Sequence, residues 1–144
     1  LDWRTSIIFY EKLIKTAPNS YRVINNLGME YANKGIHDKA ETIYLKAIAL
    51  NPENPVAYHN IAGTYRDTGR TALALENFKK AIALDPRFIF SYRALAQLYF
   101  QLGNWEEAKK YLEVVARSDP EDQSVQQALR MIDEALRAKG RVLP

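Results

Sequence analysis

Four prolines, Pro18, Pro52, Pro86 and Pro120, follow one another at intervals of 34 residues. A fixed period of that length restricts a chain to an array of like units. When residues 21–54, 55–88 and 89–122 are laid beneath one another, columns match at Leu27/Ile61/Leu95, Gly28/Ala62/Ala96, Tyr31/Tyr65/Tyr99, Gly35/Gly69/Gly103, Ala40/Ala74/Ala108 and Tyr44/Phe78/Leu112. Within a unit the apolar residues recur at helical spacing, as in Ile24, Leu27 and Tyr31 and again in Ala40, Tyr44 and Ala47. Each unit is therefore expected to be two helices. The glycine column stops the first helix, and Asn51-Pro52, Asp85-Pro86 and Asp119-Pro120 stop the second.

Small residues in this pattern have a steric meaning. Gly28, Ala62 and Ala96 in the first helices, with Ala40, Ala74 and Ala108 in the second, let two backbones approach closely, while Tyr31, Tyr65 and Tyr99 fill the space beside them. One helix pair cannot bury its apolar face alone, so the units are expected to stack in sequence order as a solenoid.

The motif Asn26-Leu27-Gly28-Met29-Glu30-Tyr31, followed by Gly35, Ala40, Tyr44, Ala47 and Pro52, resembles the tetratricopeptide repeat family. The resemblance covers nearly the whole chain. It implies an all-α, right-handed α-solenoid of antiparallel helix pairs, with repeats at 21–54, 55–88 and 89–122. Residues 1–20 are similar to the second helix of a preceding half-repeat, with Trp3 in the column of His37, Thr71 and Trp105. Residues 123–144 read as a capping helix and tail. There Arg130 and Asp133 replace the small residue and the tyrosine, while Leu129, Ile132 and Leu136 keep one apolar stripe. A start at Leu1 in mid-pattern leads us to expect a fragment of a longer protein.

Composition and motifs exclude several function classes. The formal charge is +3, but no repeat is uniformly basic, because lysines and arginines alternate with acids on outer helix faces. That is a solvated surface rather than a phosphate track, so no nucleic-acid partner is expected. At 47% hydrophobic and 26% charged residues, the chain is not disordered. No cysteine is present, which removes disulfides and thiolate chemistry. His37 and His59 sit in different helices without metal-ligand spacing, so neither a metal nor a cofactor is expected. Glu106-Glu107 and Glu121-Asp122 fall near helix N-termini, where they favour the helix dipole rather than acid–base chemistry. The glycines are isolated turn residues and cradle no phosphate. No membrane insertion and no enzymatic activity are expected of this segment.

With the core columns set aside, the first helices leave a second face, which in this family lines a concave groove. Its columns read Arg22/Val56/Phe90, Asn25/His59/Arg93, Asn26/Asn60/Ala94, Met29/Gly63/Gln97 and Ala32/Arg66/Phe100. The candidate peptide-binding residues on it are Arg22, Asn25, Asn26, Met29, His59, Asn60, Arg66, Phe90, Arg93, Gln97 and Phe100. Asn26 and Asn60 are similar to the asparagine ladder of O-linked N-acetylglucosamine transferases, in which amides pair with a peptide backbone; Ala94 breaks it after two rungs. The same amides have a second possible role, tying neighbouring helices together.

A chaperone-type carboxylate clamp is not expected, because only Asn60 matches it, while Asn25, Met29, Phe90 and Ala94 stand where its other residues should be. The face still reads as basic through Arg22, His59, Arg66 and Arg93, which suits an acidic segment or a free carboxylate. Phe90, Arg93, Gln97 and Phe100 share one side of a helix and have the composition of an interface hot spot; packing of the two rings on the capping helix is the alternative.

The expected function is thus non-catalytic recognition of a protein or peptide. Two rivals accompany it. The opening segment around Trp3 and Pro18-Asn19-Ser20-Tyr21-Arg22 is similar to the start of soluble repeat tails in membrane glycosyltransferase-like proteins, which would make this a substrate-selecting accessory domain. An exposed end at 1–20 would instead support homo-oligomers.

Overall fold

The computed structural model describes residues 3–141, with the side chains of Trp3 and Arg141 outside the described set. Among the described residues the chain is helical throughout: α1 (Trp3–Thr16), α2 (Tyr21–Asn33), α3 (His37–Leu50), α4 (Pro55–Asp67), α5 (Thr71–Leu84), α6 (Ile89–Gln101), α7 (Trp105–Ser118) and α8 (Gln123–Arg141). The all-α architecture of helix pairs is the one that the period implies. The first helices end where expected, and Gly35, Gly69 and Gly103 take φ of +72°, +75° and +71° in the turns that follow, a region costly for a residue with Cβ. The second helices end at Leu50, Leu84 and Ser118, just before each Asn-Pro or Asp-Pro step. Side chains cap several starts: Asn54 Oδ1 accepts from Val56 N at 2.9 Å ahead of Pro55, and Asn104 Oδ1 accepts from Glu107 N.

Contacts divide the chain into two units, residues 1–85 and 86–144. In the first, α2 packs on α3 and α4 on α5, with α1 against α2 and α3 against α4. Its core is the set of columns named above: Leu27, Gly28, Tyr31, Ala40, Tyr44, Ala47, Ile61, Ala62, Tyr65, Ala74, Phe78 and Ala81 are all buried. At Gly28 the helices meet so closely that a Cβ would stand 2.5 Å from a ring carbon of Tyr44, which explains why this repeat has glycine where the others have alanine. Arg70, just before α5, reaches back to Glu41 of α3 with two bonds of 2.7 and 3.1 Å and lies over the Tyr65 ring. The guanidinium lowers the Glu41 pKa.

In the second unit α6 pairs with α7 and α7 with α8. Leu95, Ala96, Tyr99, Ala108, Leu112 and Val115 are buried, together with Val125 and Ile132 from α8. The expected stripe on α8 is therefore anchored by Ile132 and, two turns before it, by Val125, whereas Leu129 and Leu136 are only half-buried. Asp133, in the tyrosine column, accepts a 2.7 Å hydrogen bond from Lys109. The capping helix thus joins its neighbour by a polar contact where a repeat would use a ring.

Candidate functional site

The first helices place seven of the eleven candidate side chains in two clefts, one in each unit, built from equivalent columns of the repeat, while Arg22, Asn25, Asn26 and Phe90 line neither. In the first unit a cleft of about 200 Å³ lies between α2 and α4, lined by Met29, His59, Asn60, Gly63, Arg66 and, beneath them, the rings of Tyr44 and Phe78. In the second unit a cleft of about 250 Å³ lies between α6 and α8, lined by Arg93, Ala96, Gln97, Phe100, Ser124, Val125 and Ala128, with Leu112 below. The leucine stands in the column that holds Tyr44 and Phe78, so the second cleft has an aliphatic floor in place of a ring.

The amides do not stand free. Asn60 Nδ2 donates to Asn25 Oδ1 at 2.7 Å, joining α4 to α2, and Asn25 Nδ2 in turn lies 3.5 Å from Met29 Sδ. Asn26 points the other way, donating to the Tyr10 hydroxyl of α1 at 3.3 Å. Two residues read as rungs of one ladder therefore engage different helices. Ala94, in the next position of that column, is buried. An amide has four hydrogen-bonding positions, so Asn60 keeps capacity for a ligand after its bond to Asn25.

The charge of the face is smaller than its residue types suggest. Arg66 is paired with Asp67 at 2.8 Å and Arg93 with Asp122 at 2.9 Å. His59 lies beside the Phe78 ring, with centroids 5.3 Å apart; burial, reinforced by the Arg66 charge, lowers its pKa to about 4 and keeps it neutral at neutral pH. Arg22 is exposed. A carboxylate ligand would thus compete with existing partners at two of the three arginines.

The aromatic residues on α6 take different positions. Phe90 is 69% exposed, with its ring 5.6 Å from that of Phe88. Phe100 is half-buried and meets Trp105 edge-on at 4.9 Å, so it forms a fixed wall of the second cleft. Gln97 is exposed beside it, and Met29 is 44% exposed in the first unit.

Sequence reasoning missed the contribution of α8, where Ser124, Val125 and Ala128 make one wall of the second cleft. It placed Asp122 at a helix start without seeing its second role. The carboxylate caps α8, with Oδ1 accepting from Ser124 N at 3.0 Å and Val125 N at 3.3 Å, while Oδ2 holds Arg93. The Ser124 hydroxyl also donates to Oδ1, at 2.5 Å, and this bond, followed by that from Arg93, lowers the Asp122 pKa to about 2. The Asp-x-Ser spacing signals such a cap, but no local pattern identifies the arginine 29 positions earlier. Among the described residues, no group of His, Asp and Glu could hold a metal ion, and no helix is long and apolar enough to cross a membrane.

Pairs of helices repeated every 34 residues, with first helices presenting variable polar and aromatic side chains over a constant core, define a helical-repeat protein. Three family models described as tetratricopeptide repeat match residues 21–54, 43–76 and 65–132. The chain belongs to the tetratricopeptide repeat family. Among solved structures it is similar to the first TPR of Spaghetti (RPAP3) bound to the HSP90 peptide SRMEEVD, at 31% identity and a TM-score of 0.74, covering 81% of this chain and 94% of that one. The first TPR domain of human RPAP3 is similar at 30% identity and a TM-score of 0.76, over 88% and 99% of the two chains. MamA shares the fold at 22% identity and a TM-score of 0.81, over 94% and 84%. No curated protein matches the chain.

Proposed function

We propose that this segment is a non-catalytic scaffold that binds extended peptide segments of a partner protein on its first helices, α2 and α4 in the first unit and α6 in the second. The observation that carries this reading is the pairing of a constant buried core with two clefts whose linings differ, polar over rings in the first unit and apolar in the second. The peptide held by one structural neighbour supports the same class of ligand. In the first unit, spare bonding positions on Asn60 would meet a peptide backbone; in the second, Phe90, Arg93 and Phe100 would meet side chains.

The test is selection of binders from a displayed random-peptide library, followed by mapping of backbone amide shifts. Perturbation concentrated on the first helices is the expected result; shifts confined to α3, α5 and α7, or no binder at all, would overturn the reading.

Self-association is a second reading, favoured by Ile8 and Phe9 of α1, which are 50% and 55% exposed. Sedimentation across concentration would reveal it. Neither the family matches nor the structural neighbours support the membrane glycosyltransferase tail.

A further inference from the structure

In the second unit both amides of the asparagine column are gone: Ala94 is buried and Ala128, one period later, lines the cleft. The walls are then Ala96, Phe100, Val125 and Ala128 over Leu112. Gln97 and Ser124 add two polar groups at this cleft, but the surface is largely apolar and gains by burying an apolar group. Its rim carries Arg93, whose guanidinium is held by Asp122 in an exposed ion pair. Only Oδ2 of Asp122 is used there; Oδ1 is occupied by the N-terminus of α8.

Resting on the peptide-binding reading above, we propose that the α6–α8 cleft takes one apolar side chain of the bound peptide while a neighbouring carboxylate of that peptide displaces Asp122 from Arg93. Asp122 is thereby an internal competitor that the ligand must replace. The exchange leaves the fold intact, because Asp122 keeps its bonds to Ser124 and Val125 when Arg93 leaves. It also sets the selectivity. An acidic group alone gains little over the carboxylate already present, and an apolar group alone leaves the guanidinium with its present partner, so the pocket favours a ligand that offers both.

The probe is N-acetyl-leucyl-aspartate N-methylamide, titrated into the isotope-labelled chain, with the leucyl-asparagine and alanyl-aspartate analogues as comparisons. The expected result is saturable shifts at the methyls of Leu112, Val125 and Ala128, strongest for the leucyl-aspartate probe. Asp122→Asn retains an oxygen for the cap and removes the competing charge. It should tighten the leucyl-aspartate probe by about two- to fivefold, the range expected for an exposed ion pair, and leave the asparagine analogue unchanged. Arg93→Gln should abolish the preference for aspartate over asparagine, a comparison that decides the matter even if Asp122→Asn fails to fold. No shift at these methyls with saturating probe, or equal affinity of the two probes for the native chain and for Arg93→Gln, would overturn the proposal. If library-selected peptides still perturb the first helices in that case, the groove reading stands and only the exchange at Arg93 falls.

Discussion

Asn60 Nδ2 donates to Asn25 Oδ1 across 2.7 Å, so a side chain of one repeat is fixed by the neighbour of its own counterpart, 35 residues earlier. The bond is partly buried and joins two first helices on the face assigned to ligand. Asn60→Ala should therefore lower stability by ~0.5–1.5 kcal/mol. A double-mutant cycle with Asn25→Ala in urea unfolding should return most of that as coupling. Additive single-mutant losses would show that the two amides act separately.

Gly28 and Gly63 stand on successive first helices but should respond oppositely to alanine. A Cβ at Gly28 would lie 2.5 to 2.9 Å from the ring of Tyr44, itself fully buried, so Gly28→Ala should cost ~1–3 kcal/mol. At Gly63 nothing lies within 4 Å, and Gly63→Ala should stabilise the helix by up to ~1 kcal/mol while its methyl narrows the cleft between α2 and α4. Thermal melts measure both; equal effects would contradict the packing.

Phe90 and Phe100 separate binding from folding. Phe90→Ala removes a mostly exposed ring and should change stability by less than ~0.5 kcal/mol, yet weaken a library-selected peptide by ~2 kcal/mol. Phe100→Ala also loses the contact with Trp105 and should lower the melting temperature as well. Wild-type affinity in both variants would move the ligand off α6.

Histidine protonation gives a pH signature. The folded-state pKa of His59 is about 4, against 6.5 in an unfolded chain. Between those values the unfolded chain binds the extra proton and the folded one does not, so stability is fully present above pH 6.5 and declines as pH falls towards 4. Urea unfolding at pH 7 and pH 5 should show the loss, and His59→Gln should remove that part of it. A His59 titration near 6.5 in the folded protein would refute the assignment.

The SRMEEVD peptide tests whether a free terminal carboxylate is read. Asn25 is engaged by Asn60 and Ala94 is buried where a clamp would present cations, so the peptide and its C-terminal amide should bind equally. A loss of about tenfold on amidation, or ~1.4 kcal/mol, would restore the clamp.

What the sequence determined by itself is the helix pairing and the core. Leu27, Tyr31, Ala40, Tyr44 and their counterparts are buried because a 34-residue period with helical spacing leaves each helix one face to bury, and small residues mark where backbones meet. The turns were equally legible, since glycine and Asn-Pro or Asp-Pro act through their own backbone restrictions. The tertiary structure decided the chemistry of the face. Asn26 turned to Tyr10 rather than to Asn60, Arg93 found Asp122 at the start of α8, and His59 lost its charge beside Phe78. Long polar side chains choose among several rotamers, and that choice depends on donors, acceptors and burial supplied by other helices, to which the residue's own periodic pattern carries no reference.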